Sequence, residues 1–341
     1  MGNGKKLLTF VRKMCCNGNA AFALGRQLGW KFRRMPDRAY LEKMYRFRLG
    51  VEPDLDHPKT YNEKLQYLKL HEHYPERAQL VDKIEVKRYV AQVLGPEYLI
   101  PTLGVWSRFA DIDFDSLPRQ FVLKCSHDSG GQVICLDKET LNRKRCQQKI
   151  EKSLHCNFYY RQREWLYQAV PPRILAEPFI SDGVHKSLVD YKLFCFDGVP
   201  KFIMTVNGGH GDESLVERRI YDTQWKLLPI GLRGKPPVET AEEKPAQLPV
   251  LLEAAEKLSR DMKHVRVDLY LVNGKVYFGE LTFYHMSGFE EFVPRQWDEK
   301  LGELIQLERE TEIAKEKKGK TDDGNSEISG TGSTGDDSDL E

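Results

Sequence analysis

The chain has 341 residues, of which 52 are lysine or arginine and 51 are aspartate or glutamate, so its formal net charge is +1. This length suffices for about two domains of ordinary size. A near-zero net charge creates no overall field favouring nucleic acid, so no nucleic-acid partner is expected. The seven cysteines are odd in number and form no Cys-x-x-Cys pair. They predict reduced thiols in a cytoplasmic protein, not a disulfide or zinc framework.

Residues 1–36 form a basic N-terminal extension, because several lysines and arginines but no acidic residue precede Asp37. No apolar run in the sequence reaches the roughly 20 residues of a transmembrane helix. Two interpretations fit the extension: a basic amphipathic segment in peripheral contact with a membrane, or an extension without a role of its own. The first would place a cytoplasmic protein at the inner face of the membrane.

Residues 37–118 are predicted to form a helical N-terminal region. Helical apolar spacing starts at Asp37 and ends at a C-cap, Gly50. A second helix should begin at Thr60, since Glu63 completes a capping box three residues later. A third helix is predicted for residues 76–95, and strand-like segments follow from residue 98.

The segment 119–185 has the order strand, polar glycine-rich loop, strand, helical region, strand. Lys124 lies on the first strand, and the loop "SHDSGG" follows it. The backbone amides and glycines of such a loop can approach phosphate groups that a Cβ would exclude. "AEPFI" (residues 176–180) ends a strand whose backbone groups could contact the edge of adenine. An ordinary glycine-bearing hairpin is the alternative interpretation of the loop.

Residues 186–308 contain two predicted hairpins. The first turns at Asp197-Gly198 and carries Lys192, and the second turns at Asn273-Gly274. Asp268 and Glu280 interrupt the apolar strands of the second hairpin, where burial of a carboxylate is costly. Lysines for phosphates and two acids for a cation form a coherent set, because Mg²⁺ typically takes one or two carboxylates plus phosphate oxygens. Residues 309–341 are polar and acidic and are predicted to be disordered.

The metal-site hypothesis makes a geometric demand on the second hairpin. With a plain two-residue turn at Asn273-Gly274, facing residue numbers sum to 547, and Asp268 and Glu280 point to opposite faces. An odd loop or a glycine-assisted bulge would make the sum 548. Asp268 would then face Glu280 and Arg266 would face Thr282, so the sequence predicts one of these irregularities.

Other motifs are weak. There is no Walker A pattern and no G-x-G-x-x-G between a strand and a helix. Three D-x-D triplets would suit a metal-dependent glycosyltransferase, but each lies in a turn-like stretch, which favours solvated turns. The triplets are Asp54/Asp56, Asp111/Asp113 and Asp113/Asp115.

The order of these motifs resembles the ATP-grasp superfamily and, more narrowly, its teichuronopeptide-biosynthesis (TupA-like) family. The resemblance extends from about residue 38 to residue 300 and is carried by "LVDKIEVKRYV", "FVLKCSHDSGGQ", "EPFISDG", "DYKLFCFDGVPKFI" and "RVDLYLVNGKVYFGELTFYHMSGFE". It implies an α+β fold in which the nucleotide is held between two subdomains, residues 119–185 and 186–308.

The resemblance also implies roles for individual residues. Two lysines would contact the nucleotide, the glycine-rich loop would close over the phosphates, and a hinge after the loop would hold adenine. With Lys192 from the first hairpin, the expected nucleotide site comprises Lys83, Lys124, Ser126, Ser129, Gly130, Gly131, Glu177, Pro178, Phe179, Ile180 and Lys192.

The metal and catalytic residues are expected on the second hairpin. Arg266 resembles the arginine that stabilises acyl-phosphate chemistry, and Lys124 shares the catalytic role. Asp268 and Glu280 resemble Mg²⁺ ligands. Many ATP-grasp ligases continue with Glu-x-Asn, whereas this chain has Glu280-Leu281-Thr282, and a threonine hydroxyl would be a weaker ligand.

The implied function is an ATP-dependent carboxylate–amine ligase that forms an acyl phosphate and uses two Mg²⁺ ions, with Mn²⁺ as an alternative. Its partners would be ATP, a carboxylate and an amine, one of them a glycan or an amino acid, in cell-surface polysaccharide or teichuronopeptide-type polymer synthesis. Three other functions stay open: a phosphotransferase acting on a glycan hydroxyl, a non-catalytic nucleotide-binding protein, and a glycosyltransferase.

Overall fold

The computed structural model of the protein describes residues 33–128, 130–183, 188–208 and 216–307. Most of the basic extension, Ser129 and the acidic tail lie outside these ranges. The helices are α1 Asp37–Leu49, α2 Tyr61–His71, α3 Ala78–Val81, α4 Val86–Val93, α5 Arg143–Leu154, α6 Tyr159–Gln162, α7 Leu248–Leu258 and α8 Gln296–Gly302. The strands are β1 Gly104–Trp106, β2 Phe121–Cys125, β3 Val133–Cys135, β4 Ile174–Pro178, β5 Asp190–Phe196, β6 Val199–Asn207, β7 Glu217–Asp222, β8 Leu227–Leu228, β9 His264–Val272 and β10 Lys275–Thr282.

The strands form two antiparallel sheets. The first has the order β1-β4-β2-β3, and the second has the order β10-β9-β5-β6-β7-β8. The predicted α+β class, with a helical region before the sheets, is confirmed. The first sheet lies within residues 104–178 and the second within residues 190–282. The boundaries of the two subdomains stay a prediction.

The predicted caps of the first two helices are confirmed. Gly50 adopts the left-handed conformation at φ 74° and its amide donates to Arg46 O. The Thr60 side chain accepts from the amide of Glu63, and the Glu63 carboxylate accepts from the amide of Thr60. These caps fix where α1 ends and α2 begins.

The single helix predicted for residues 76–95 is wrong, because the chain breaks it between α3 and α4. The Asp82 carboxylate accepts a 2.8 Å hydrogen bond from the Ile84 amide, which offers the backbone an alternative to the helix. The Lys83 amide donates instead to Ser126 O at 3.2 Å. The break therefore ties Lys83 to the glycine-rich loop.

Each sheet packs its apolar face against a helix. Phe121 and Leu123 of β2 pack with Cys146 and Ile150 of α5 in one buried cluster. Helix α7 lies against β5, β6 and β9. None of the helices described is long and apolar enough to cross a membrane.

Candidate active site

The β9–β10 hairpin satisfies the geometric demand made from the sequence. Val272 faces Lys275 across a two-residue turn, and the register then shifts between Phe278 and Glu280. After this bulge Asp268 faces Glu280. The predicted bulge is thus confirmed, and it follows a plain Asn-Gly turn.

Gly279 is the bulged residue, and its lack of a side chain has a steric reason. A Cβ at this position would lie 3.0 Å from Asp268 O and 3.0 Å from the Tyr270 ring. The chain can therefore bring the two acids to one face only by passing close to its own neighbouring strand.

Arg266 is the centre of the hairpin site. Its Nε and Nη2 donate to the two carboxylate oxygens of Asp268 at 2.6 and 2.7 Å. Nη2 also donates to Thr282 Oγ1 at 2.9 Å and to Glu280 Oε1 at 3.2 Å. The Thr282 hydroxyl donates to Glu280 Oε1 at 3.1 Å. A bidentate, charge-assisted pair of this kind fixes the orientation of the guanidinium.

His285 is bonded to Arg266 and helps to hold it in place. This role was not predicted from the sequence. Arginine can only donate, so the 2.7 Å contact with Arg266 Nη1 requires His285 Nδ1 to accept. Nε2 then carries the proton and donates to Glu290 Oε2 at 3.2 Å. Burial lowers the pKa of His285, and Arg266 lowers it further. The neutral imidazole therefore bridges Glu290 and Arg266 and helps to orient the guanidinium.

Lys192 joins the hairpin from the neighbouring strand β5. Its ammonium pairs with Asp268 and, at 2.5 Å, with Asp190 Oδ2. Lys192 faces Asp268 across the β5–β9 ladder, which explains the contact. Asp190 was not predicted, although it stands two residues before Lys192 and so shares its face of β5.

The first sheet contributes a second charge cluster. Lys124 on β2 and Glu177 on β4 pair at 2.5 Å, and Lys87 from α4 approaches the same carboxylate at 2.6 Å. Burial alone would raise the pKa of Glu177, but Lys124 and Lys87 outweigh it and lower that pKa. Lys87 was missed because the sequence gives no sign that α4 faces β4.

The glycine-rich loop covers one edge of this cluster. Lys83 Nζ donates to Asp128 O within the loop, and Gly130 has a φ of 89°. A Cβ at Gly131 would lie 2.1 Å from Asp128 Oδ2. Ser126 is the buried first residue of the loop, and its hydroxyl donates to Pro171 O at 2.7 Å and accepts from the Arg173 amide at 3.1 Å. Ser126 is thus placed to support the loop.

Three cavities with shared walls run through the site. We name them after the ligand groups proposed below: the base cleft, of about 310 Å³; the phosphate cavity, of about 240 Å³; and the acceptor cavity, of about 390 Å³. The names are part of that proposal. Lys124, Glu177 and Asp190 line both the base cleft and the phosphate cavity. Lys192 and Glu280 line both the phosphate cavity and the acceptor cavity.

The base cleft has mainly apolar walls and contains the predicted hinge. Its lining includes Ile100, Val122, Ile134, Pro178, Phe179 and Ile180. The Phe179 amide donates to Gln120 O at 3.4 Å, and proline has no amide hydrogen. The Phe179 amide is thus already bonded, and the hinge role of residues 177–180 stays a prediction.

The phosphate cavity has balanced charge. Its walls carry four lysines and four carboxylates, namely Lys83, Lys87, Lys124, Lys192, Glu177, Asp190, Asp268 and Glu280. Burial would raise the pKa of Glu280, but Arg266, Lys192 and Lys83 outweigh it and lower that pKa to about 2. Glu280 is thus ionised at neutral pH.

The residues at this cavity fit a divalent cation whose remaining ligands are phosphate oxygens. No group of three or more His, Cys, Asp or Glu side chains in the described ranges could hold a metal alone. Mg²⁺ needs only one or two carboxylates when phosphate oxygens complete its shell. Glu280, with 44% of its side chain exposed, and Asp268 both line this cavity, and their role as cation ligands stays a prediction. A ligand role for Thr282 stays a prediction.

The D-x-D triplets have structural roles in turns. Asp54 accepts from the amides of Asp56 and His57 at 3.1 and 2.8 Å. Asp113 accepts from the Asp115 amide at 3.0 Å. Asx turns of this kind explain two of the triplets without a metal.

Two antiparallel sheets, a glycine-rich loop and an acidic hairpin are the features expected of an ATP-grasp protein. The family model described as TupA-like ATPgrasp matches residues 63–306. The chain belongs to this TupA-like ATP-grasp family.

Comparison with solved structures finds similarity at low identity and with TM-scores below 0.5. D-alanine–D-alanine ligase from Bacillus anthracis, complexed with ATP, is 16% identical with a TM-score of 0.36 over 60% of this chain and 55% of that one. D-Alanine–D-alanine ligase from Helicobacter pylori is 15% identical with a TM-score of 0.37 over 72% and 69%. The ATP-grasp ligase PsnB, complexed with minimal precursor, Mg and ADP, is 12% identical with a TM-score of 0.34 over 72% and 61%. The chain spans little more than half the length of the first of these structures. A comparison of this chain with curated proteins finds no match.

Proposed function

We propose that the protein is an ATP- and Mg²⁺-dependent ligase that joins a carboxylate to an amine through an acyl phosphate. The observation that carries the proposal is the position of Arg266, Lys192 and Glu280. These three side chains line the acceptor cavity, and two of them, Lys192 and Glu280, also line the phosphate cavity. A carboxylate in the acceptor cavity would thus meet a γ-phosphate at this shared wall.

The nucleotide would lie with its base in the base cleft and its phosphates among the lysines. Lys83, Lys124 and Lys192 would neutralise charge as the γ-phosphoryl group moves, with Lys87 holding Glu177 at the junction. Mg²⁺, held by Asp268 and Glu280 when bound, would offset the charge of the β- and γ-phosphates. The number of ions and the use of Mn²⁺ belong to this proposal.

Acyl transfer would take place at Arg266. Its guanidinium is already oriented by Asp268, Thr282 and His285, so little reorganisation is needed when negative charge develops on the carbonyl oxygen. The glycine-rich loop would exclude water, since hydrolysis of the acyl phosphate is the competing reaction.

The acceptor cavity favours an anionic substrate with a planar or ring-shaped body. Its walls carry five cationic side chains, Arg48, Lys192, Arg218, Arg233 and Arg266, and three carboxylates, Glu164, Glu280 and Glu290. Phe158, Tyr167 and Tyr284 supply aromatic surface. A uronate of a glycan or an acidic amino acid suits this lining, and either would agree with a role in surface-polymer synthesis in the cytoplasm. Contact of the basic extension with the inner face of the membrane also stays a proposal.

Hydroxylamine trapping tests the proposal. A ligase given ATP, Mg²⁺ and its carboxylate converts hydroxylamine to a hydroxamate, whereas a phosphotransferase releases ADP with a phosphorylated alcohol. Glucuronate, galacturonate and glutamate are the first carboxylates to screen. If the protein binds ATP but forms no ADP with any acceptor tested, the ligase function is rejected in favour of a non-catalytic nucleotide-binding protein.

A further inference from the structure

Glu164 lies on the wall of the acceptor cavity and has no role in the reaction steps described above. Its side chain is buried, with 5% of the residue exposed. Ser287 Oγ donates a short hydrogen bond to Glu164 Oε1. Both residues line the acceptor cavity together with Arg266 and Glu280. A carboxylate is thus held on the substrate side of the acyl-transfer centre.

The backbone that carries Ser287 is strained. Met286, Ser287 and Gly288 have φ values of 48°, 56° and 68°, three successive residues in the left-handed region. Strain of this kind persists only where surrounding contacts enforce it, and it concentrates at functional sites.

Helix α2 supplies those contacts. Gln66 Nε2 donates to Ser287 O at 3.0 Å and to Gly288 O at 2.6 Å. Lys69 Nζ donates to Ser287 O at 2.7 Å. A Cβ at Gly288 would lie 2.3 Å from Gln66 Nε2, so the turn has to contain a glycine. The fold thus maintains a strained turn whose serine hydroxyl holds Glu164.

The surroundings of Glu164 favour its role as a proton acceptor. Burial raises its pKa above the ordinary value, and Lys69 and the Ser287 hydroxyl oppose this rise. A carboxylate whose pKa is closer to neutral pH is a better general base than an exposed one. Burial lowers the pKa of the neighbouring Lys69 to about 8, and its ammonium donates to Gln66 Oε1 and Gln162 O as well as to Ser287 O.

We propose that Glu164 is the general base of the amide-forming step, an inference that rests on the proposed ligase function. The lone pair of the amine attacks the carbonyl carbon of the acyl phosphate, and the C–N bond forms as the C–O bond to phosphate breaks. The electron pair of that bond leaves with the phosphate. The proton from nitrogen goes to Glu164 and then to the departing phosphate, so the carboxylate is regenerated. Ser287 holds the carboxylate in place.

The test compares two nucleophiles in the Glu164→Gln variant, with glucuronate and glutamate as carboxylates. Hydroxylamine is largely unprotonated at neutral pH and strongly nucleophilic, so its capture of the acyl phosphate depends little on a base. Glycine, serine and lysine serve as ordinary amines. We expect the rate of hydroxamate formation to stay within about twofold of wild type. The rate of amide formation, measured by mass spectrometry, should fall by about 100-fold or more.

A matched control is Glu253→Gln on α7, where an exposed carboxylate pairs with Lys257 at 2.7 Å. This control should keep both rates. Equal losses with hydroxylamine and amines, or an unchanged amide rate in Glu164→Gln, would overturn the inference while the ligase function stands. A wild-type protein that forms no hydroxamate would overturn the ligase function itself, and this inference with it.

Ser287→Ala provides a second variant if Glu164→Gln fails to fold by circular dichroism. Loss of the hydrogen bond from Ser287 to Glu164 should lower amide formation about tenfold and spare hydroxamate formation. A loss that is equal for both nucleophiles, or no loss at all, would contradict the role of Glu164.

Discussion

Replacing each acid of the β9–β10 hairpin by its amide should separate the stability of the site from its chemistry. Asp268 is 1% exposed and accepts two bonds from Arg266 as well as one from Lys192. Asp268→Asn leaves the buried Arg266 and the partly buried Lys192 facing a neutral group. Removal of one partner of a buried ion pair costs about 3–5 kcal/mol.

Glu280 contrasts with Asp268 in the same hairpin. Its single bond to Arg266 is 3.2 Å long, and 44% of its side chain is exposed. A pair of this kind contributes about 0–1 kcal/mol. We therefore expect Glu280→Gln to unfold in urea at nearly the wild-type concentration, and Asp268→Asn at a clearly lower one.

Both variants should lose ADP release, because each lacks one of the proposed cation ligands. Urea unfolding followed by circular dichroism gives the free energies of unfolding, and a coupled assay gives ADP. Equal stability losses in the two variants would refute the assignment of Asp268 as the buried partner of Arg266. Normal ADP release by either one would refute its role at the cation.

Three further predictions concern single residues. Lys124→Ala should lower ADP release by about 100-fold, the loss typical of one preorganised donor; a near-wild-type rate would show that the phosphate cavity is misassigned. Gly279→Ala should destabilise the protein by about 1–3 kcal/mol in urea, because its Cβ would lie 3.0 Å from Asp268 O, and unchanged stability would argue against the bulge. Burial lowers the pKa of His264 to about 3, so this neutral histidine stabilises the fold above its unfolded pKa of about 6.5. That contribution should fall by up to about 1.4 kcal/mol per pH unit as the pH drops below 6.5. The free energy of unfolding, measured by urea titration at a series of pH values, should therefore change less with pH in His264→Gln than in wild type.

The sequence predicts the part of the site that local periodicity controls. Alternation of side chains along a strand makes the facing of Asp268 and Glu280 a question of parity, and Gly279 is where an extra residue can be accommodated. The same alternation could have placed Asp190 beside Lys192. The contact between Lys87 of α4 and Glu177 of β4 depends instead on the tertiary arrangement of two distant elements, which the residue pattern of neither element indicates.

Local chemistry could have revealed the break at Asp82. An aspartate in a helical pattern can accept from the amides that follow it, as it does here with Ile84 and Glu85 at 2.8 and 3.4 Å. Helical apolar spacing outweighed that signal in the sequence. The break matters for the site, because it turns Lys83 toward the glycine-rich loop.

The charge balance of the phosphate cavity couples the nucleotide to its cation. Four lysines face four carboxylates, so the cavity has no surplus positive charge to offset the phosphates. A triphosphate entering alone would meet Glu280, which stays ionised with a pKa of about 2, and like charges in a partly desolvated cavity repel strongly. Mg²⁺ would offset part of this added charge, and the carboxylates would then serve as its ligands. Calorimetric titration with ATP should therefore show a large loss of affinity when EDTA replaces Mg²⁺, and Glu280→Gln should reduce that difference by relieving the repulsion. Equal affinity with and without Mg²⁺ would mean that the carboxylates of this cavity do not face the phosphates.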